Sequence, residues 1–299
     1  MLRSALALTF VLAVPPPQVG RSAADAIQIE ALIRQAAVLR DEARYNEAEA
    51  PLRRALVVAG ENCRQCDVEI CSVWNELGVL YKNMGRFDEA GQVYARALAI
   101  ARNRPGARDD AVIATLYHNL GGLEHARGRY AAGEPLARRG LAIRERLLGP
   151  NHPDVAADLA ALAPILDGLL KRQEAAEMLL RAIGILERAY GPDHYDIAVA
   201  LNNLAALRYA EGNREESFRL YERSLAMKEK LLGPEHPDVA TTLNNMAVLR
   251  KSEGDREEAG RLYGRALAIF EKSLGPDHPK TVTCRANYEL QKTNKFAGR

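Results

Sequence analysis

The sequence predicts an all-α protein built as a one-dimensional array of helical hairpins, and three observations carry the prediction. The string Gly149-Pro150-Asn151-His152-Pro153-Asp154 returns as Gly191-Pro192-Asp193-His194-Tyr195-Asp196, Gly233-Pro234-Glu235-His236-Pro237-Asp238 and Gly275-Pro276-Asp277-His278-Pro279-Lys280, each step being 42 residues. Self-similarity at a fixed spacing of this size marks units that stack on their neighbours. Between two such marks, Leu201, Leu204, Ala205 and Leu207 form one apolar stripe at helical spacing, and Leu220, Tyr221, Leu225 and Leu232 form a second. Each unit is therefore read as a helical hairpin. Aromatic residues are only 6% of the 299, and Ala, Leu, Arg and Glu dominate, which disfavours a β-sandwich or barrel.

The chain opens on Met1-Leu2-Arg3, a basic start, followed by an apolar run over 5–14 that is too short to cross a bilayer as a helix. Pro15-Pro16-Pro17 then breaks any helix, and Ser22-Ala23-Ala24 or Ala24-Asp25-Ala26 supplies small residues for a signal peptidase. Residues 1–24 are read as a signal peptide cut near Ala24 or Ala26, so a periplasmic or secreted protein is expected. An uncleaved N-terminal anchor or a mis-assigned start is the alternative. No other stretch is apolar enough to span a membrane. The formal charge of +2, from 41 basic and 39 acidic residues, falls to zero without Arg3 and Arg21. With no basic face to neutralise phosphates, nucleic acid is not an expected partner.

Six units follow in order: 25–66, 67–108, 109–150, 151–192, 193–234 and 235–276, making a solenoid over 25–280 closed by a capping helix and tail over 281–299. The first units carry the pattern in weaker form, as Arg44-Tyr45-Asn46-Glu47-Ala48, Asn75-Glu76-Leu77-Gly78 and Gly85-Arg86-Phe87-Asp88-Glu89-Ala90. The first helix of a unit is expected to stop at Gly85, Gly128, Gly212 or Gly254, where glycine tolerates a left-handed turn, and the second at Gly-Pro. Small residues recur where two helices must approach: Gly78, Gly121, Ala163, Ala205 and Ala247 on the first helix, then Ala90, Gly133, Ala175, Ser217 and Ala259, then Ala97, Gly140, Ala182, Ser224 and Ala266 on the second. Pro164 falls inside the first helix of the fourth unit and is expected to kink it.

These spacings resemble the tetratricopeptide repeat, with Trp74-Asn75-Glu76-Leu77-Gly78-Val79-Leu80-Tyr81 the nearest match to its first helix. The 42-residue unit, with Leu-Asn-Asn-Leu-Ala, Arg-Ala-Leu-Ala-Ile and Leu-Gly-Pro-x-His-Pro-Asp-Val-Ala, looks like the kinesin light chain subclass and its bacterial relatives. The resemblance covers roughly 27–280 and implies a right-handed α-α superhelix of about six hairpins that binds proteins. It departs from the family in lacking a heptad coiled-coil segment, so a motor-subunit role is not implied. Arg208 and Arg250 stand where the family usually has an aromatic.

The four linker histidines do not read as a metal site. His152, His194, His236 and His278 recur with the fold, about 10 Å apart by the usual helix packing distance, so one ion cannot bind two of them. Each precedes a helix N-terminus, where Pro at the first position and Asp154 or Asp238 near the positive dipole end suit a structural linker. Cys63, Cys66 and Cys71 lie between the first two units. A disulfide of Cys63 with Cys71 or with Cys66, three free thiols, or a metal site short of ligands are the readings of that cluster. Cys284 is expected as a buried thiol. No nucleophile elbow, phosphate-cradling loop or zinc-protease motif is present, and Glu215-Glu216 and Glu257-Glu258 begin second helices as dipole partners. No cofactor, no metal and no enzymatic activity are expected.

A concave groove remains. By resemblance, first helices line it, with Asn119, Asn203 and Asn245 pointing inward and Asn202 and Asn244 beside them. An asparagine offers two donors and an acceptor, so a ladder of them can hold a peptide backbone without demanding one side chain. The alternative is that these amides are solvated or bond across to the neighbouring helix. Tyr209, Arg208 and Arg250, with Tyr117, His118 and Lys251, would tune selectivity toward acidic segments or a terminal carboxylate. The expected function is a non-catalytic scaffold binding a peptide segment of a partner protein. A structural or self-associating module is the second class, and an envelope enzyme a third.

Overall fold

The computed structural model describes residues 23–60, 68–103 and 111–293. They form α1 (Ala23–Asp41), α2 (Tyr45–Ala59), α3 (Val68–Asn83), α4 (Phe87–Arg102), α5 (Ala111–Ala126), α6 (Tyr130–Leu148), α7 (Pro153–Gly168), α8 (Arg172–Tyr190), α9 (Tyr195–Ala210), α10 (Arg214–Leu232), α11 (Pro237–Ser252), α12 (Arg256–Leu274) and α13 (Pro279–Thr293). No strand occurs among the described residues. Consecutive helices pair as antiparallel hairpins, and the hairpins wind into a right-handed superhelix with α13 closing the last one. Residues 1–22, and with them most of the expected signal peptide, lie outside the described residues, as do Cys63 and Cys66.

The linker motif works as a stop and a start. Gly149, Gly191, Gly233 and Gly275 take φ between 79° and 87°, the left-handed region that glycine enters without steric cost, and end α6, α8, α10 and α12. Three residues on, the imidazole Nδ1 of His152, His194, His236 and His278 accepts the backbone N–H of Asp154, Asp196, Asp238 and Lys280 at 3.1–3.3 Å. Each histidine thus satisfies one of the N–H groups a helix start leaves without a partner. Accepting at Nδ1 puts the proton on Nε2, so every linker histidine is the neutral Nε2–H tautomer.

Small residues sit where the hairpins close. A Cβ on Gly78 would fall within the Tyr94 ring, and one on Gly140 would come 2.9 Å from the Ala114 carbonyl oxygen. Where the series reads Ser, the hydroxyl is used: Ser217 and Ser224 each donate to a first-helix carbonyl, of Ala205 and Ala198, at 2.7 Å. The core runs the length of the array in three abutting clusters centred on Leu77 and Tyr94, Leu159 and Leu186, and Leu243 and Tyr263. At the far end Thr281, Cys284 and Gln291 of α13 are buried. Cys284 is a free thiol, and burial pushes its pKa up to about 11. Cys71 is buried with Sγ 3.7 Å from the Ala97 carbonyl oxygen.

Two departures from the repeat are absorbed locally. The turn of the fourth unit puts Leu170 at φ 61°, and that of the first puts Ala43 at φ 59°, where the other turns use glycine. Pro164 lies within α7, which continues past it to Gly168. A proline cannot donate to the carbonyl four residues earlier, here Ala160. That carbonyl instead accepts Nδ2 of Asn203 from α9 at 3.4 Å.

The array also turns far enough to meet itself. His236 Nε2 donates to the carbonyl of Asp41 at 3.2 Å, and His278 Nε2 to that of Asn83 at 2.8 Å. Both pairs are 195 residues apart, so one coil of the superhelix takes between four and five units and the next lies on it in register. Pro279 packs at the turn of the second unit, where a Cβ on Gly85 would stand 2.6 Å from its Cδ.

Candidate functional site

Closing the coil leaves a half-open space of about 1040 Å³. Its walls come from the C-terminal ends of α1, α3 and α5 on one side and the N-terminal ends of α9, α11 and α13 on the other. Arg40, Lys82 and His125 face it from the first set, and Tyr195, Asn244 and Lys280 from the second, with Phe87 and Phe270 among its apolar lining. Such a mixture of apolar wall and a few convergent polar groups is the form of a ligand site.

The charges divide into satisfied and unsatisfied groups. Arg40 is ion-paired with Glu76 and, at 3.2 Å, with Asp41. Asp238 accepts the Tyr195 hydroxyl at 2.5 Å. Burial works to raise the Asp238 pKa, but Lys280, the Tyr195 bond and Lys228 outweigh it and hold the carboxyl below the usual carboxylate range. Lys228, buried behind this wall, donates to Thr242 at 2.9 Å, and burial pushes it down to about 8 against the pull of Asp238. Lys82 is half-buried with Nζ beside Gly122; burial, then repulsion from Lys280 and Arg40, pushes it down to about 8. His125 is likewise lowered by burial and by Lys82. The Asn244 Oδ1 atom is buried without a donor.

The expected asparagine ladder is largely bonded within the wall. Asn119 is buried and donates to Asn75 Oδ1 at 2.7 Å. Asn202, also buried, accepts Thr242 Oγ1 at 3.2 Å and Asn245 Nδ2 at 3.4 Å. Asn203 serves the carbonyl that Pro164 leaves open, so side-chain amide hydrogen bonds join α3 to α5, α7 to α9 and α9 to α11. Asn244 lines the half-open space. Arg208 pairs with Glu211 at 2.7 Å and Glu216 at 3.2 Å. Arg250 pairs with Glu253 at 2.9 Å and lies over the Phe218 ring, 3.7 Å from its centroid. Tyr209 packs against the C-terminal core, and His118 contacts the buried Asp158 at 2.6 Å.

Lys82, His125 and Lys280 were not singled out by the sequence. One signal was available: Lys280 stands where the other three copies have Asp154, Asp196 and Asp238. Contacts across the closed coil have no such trace. Among the described residues no cluster of His, Cys, Asp or Glu has the geometry of a metal site, and no helix is long and apolar enough to cross a membrane.

A family model described as tetratricopeptide repeat matches residues 112–188, 168–230, 196–272 and 238–289, and a second of the same description matches 73–108. Among solved structures, the chain is similar to NprR in complex with its cognate peptide NprX, with a TM-score of 0.69 at 12% identity over 94% of this chain and 80% of that one. It is similar to a Rap protein complexed with competence and sporulation factor, with a TM-score of 0.60 at 13% identity over 89% and 88%. BtubC (BKLC) from P. vanneervenii gives 0.52 at 23% identity over 86% and 95%. No curated protein matches the chain.

Proposed function

Because the chain belongs to the tetratricopeptide repeat family, we propose that it is a non-catalytic scaffold that takes a peptide segment of a partner protein in the space inside its coil. The observation that carries this reading is the half-open space of about 1040 Å³ inside the coil, walled by apolar side chains and by convergent polar groups. A peptide backbone offers donors and acceptors to such a wall. Bonds between first helices and between the two coils hold the walls before a ligand arrives, which limits the entropy lost on binding. NprR and the Rap protein, which share the fold, are each solved in a complex, the one with its cognate peptide NprX and the other with competence and sporulation factor.

The test is selection of short random peptides on the immobilised full chain, with Thr241→Trp beside wild type. Thr241 lines the space from α11, and an indole there fills it without touching the outer faces. Peptides held by wild type and lost by the variant support the groove. Equal retention moves the interface elsewhere.

One observation favours a second reading, self-association. Ile27, Val38 and Val57 of the first hairpin are 65%, 57% and 73% exposed, an apolar end of the kind that arrays shield. Concentration-dependent mass in sedimentation, abolished by Val57→Lys, would support it. We also propose that the protein is exported, on the basic start and apolar run of residues 1–24. N-terminal sequencing of the protein from cell fractions tests this: a start at Asp25 or Ile27 supports cleavage, and a start at Met1 overturns it.

A further inference from the structure

The four linkers share one histidine geometry but not one response to acid. In each, the Nδ1 lone pair accepts a backbone N–H, so protonation replaces that acceptor with a second donor and sets N–H against N–H. The imidazolium also stands at the positive end of the helix dipole. Three linkers hold an answer. The carboxylates of Asp154, Asp196 and Asp238 lie 3.9, 3.7 and 3.9 Å from Nδ1 of His152, His194 and His236, placed to take the new proton in an ion pair. The fourth linker has the reverse: two residues on from His278 stands Lys280, whose ammonium opposes a charged ring.

No neighbouring element makes up the difference. Among the described residues His278 makes no ion pair. The end of α3 presents the Asn83 carbonyl and Lys82. From α1 come Arg40 and Asp41, paired at 3.2 Å, and from the start of α2 Arg44 and Glu47, paired at 2.7 Å, with Tyr45. His125 faces the space from α5, His236 and Asp238 from the start of α11, where Asp238 accepts the Tyr195 hydroxyl and lies against Lys280. Asp277 is exposed, at the position where Asp193 and Glu235 pair with exposed Lys230 and Lys272. Burial first, then Lys280, outweigh the bond to Asn83 and hold the His278 pKa below 6.5. Yet His278 is also a clasp: its Nε2 donates to Asn83 at 2.8 Å, and the next residue, Pro279, packs on Gly85. The linker least able to hold a proton is one that shuts the coil.

We propose that the start of α13 is an acid-released latch: protonation of His278 breaks its cap on the Lys280 N–H and frees the last linker from the second unit, opening the coil while carboxylates hold the other three linkers. A ring that binds its proton less readily in the closed coil than in the open one ties proton uptake to opening. Closure is therefore favoured above pH 6.5 and is lost as pH falls through the lower closed-coil value. The latch stands on the linkers alone and holds whatever the space binds. Its test follows the full chain from about pH 7.5 to about 5, the range in which histidine titrates. Small-angle scattering reads opening, hydrogen exchange reads α13, and the ring resonances of His278 read its titration. Lys280→Asp gives the fourth linker the carboxylate of the others, and Lys280→Gln only removes the cation. Far-UV dichroism at each pH separates opening from unfolding.

In wild type the radius of gyration and the exchange of α13 are expected to rise together and reversibly below pH 6.5, with helicity unchanged. In Lys280→Asp, His278 should titrate roughly one unit higher and yet the coil should stay shut, because the proton now completes an ion pair. Lys280→Gln should open at a pH below that of wild type. A wild-type coil that stays shut while His278 titrates, or one that opens only as helicity is lost, overturns the latch. So does a Lys280→Asp chain that opens where wild type does. If Lys280→Asp does not fold, the comparison of wild type with Lys280→Gln decides, and equal opening in those two overturns the proposal.

Discussion

The four linker histidines are nearly identical in sequence and local geometry, yet they fall into two pairs. His152 and His194 cap their helices through Nδ1 and make no second hydrogen bond among the described residues, His194 stacking on Tyr190 at 4.2 Å between centroids. His236 and His278 cap in the same way and also donate from Nε2 to Asp41 and Asn83. The difference lies in what stands opposite. The unit selects histidine for its own helix start, and the superhelix then gives the last two copies a second acceptor, turning a cap into a clasp between coils.

Asparagine separates the two roles, because its Oδ1 caps a helix as well as any residue but cannot reach the partner carbonyl. His236→Asn with His278→Asn is expected to lower stability by about 1 to 2 kcal/mol, one exposed and one part-buried bond at the usual net worth, and to raise the radius of gyration in small-angle scattering. His152→Asn with His194→Asn should leave both near wild type. Equal loss in the two double variants would dissolve the distinction. Acid sharpens it: burial, with Lys280 opposing the charged form, lowers the His278 pKa from 6.5 despite its bond to Asn83. Its contribution is present above pH 6.5 and is lost as pH falls through the lower folded value, because the unfolded chain binds the proton first.

The same contrast shows what the sequence could carry. The hairpins, their Gly-Pro stops and the small-residue series were legible, since each follows from residues within one unit or its neighbour. Asn203 was legible as a polar residue on a first helix, but its use depends on Pro164 one unit away. Lys82 was not legible at all. It reads as an ordinary basic residue in the last turn of α3, favourable to the dipole, and acquires its meaning only from Lys280, far along the chain. Closure is a property of accumulated twist, which small angles between helices decide and no motif encodes.

Lys82 allows a second way to sharpen the comparison, because closure brings it near Lys280 and so sets a cost on the closed coil. Its pKa of about 8 in the fold, against 10.5 when unfolded, means that the folded protein holds an unfavourable charge at neutral pH. Between pH 8 and 10.5 the unfolded chain binds more protons, so stability rises with pH in that window. Lys82→Met is expected to stabilise by about 1 kcal/mol at pH 7, discounted for the solvent that reaches a half-buried ammonium, and to flatten that pH dependence. Arg40 and Asp41 of α1, His125 of α5 and His278 and Lys280 of α13 face the same space, so Lys280→Asp should raise the apparent Lys82 pKa. Denaturant melts that show Lys82→Met less stable than wild type would place Lys82 in the framework instead.

The middle of the array offers a test with no closure in it. If Asn203 answers the carbonyl that Pro164 leaves open, the two residues are coupled. Asn203→Ala should cost about 1 kcal/mol beside Pro164 and little beside Pro164→Ala, where the restored N–H serves Ala160 within its own helix. Additive costs in the double-mutant cycle would mean that the 3.4 Å contact contributes nothing.

Leu170 is the inverse of the clasp histidines: its sequence departs from the repeat while its backbone does not. At φ 61° it occupies the left-handed turn that glycine occupies in units two, three, five and six, and its side chain is 75% exposed, so no burial offsets the conformation. A non-glycine residue there costs roughly 1 kcal/mol, whereas glycine costs somewhat less than that through the freedom it adds to the unfolded chain. Leu170→Gly should therefore stabilise by only about 0.5 kcal/mol, and Gly128→Ala, at φ 71° with open space around it, should destabilise by a similar amount. Thermal melts of the two variants would show opposite signs if the turn alone decides. A loss in Leu170→Gly would mean that the leucine makes a contact in solution worth more than its strain, and the exposed turn of the fourth unit would then become a surface to examine for partners.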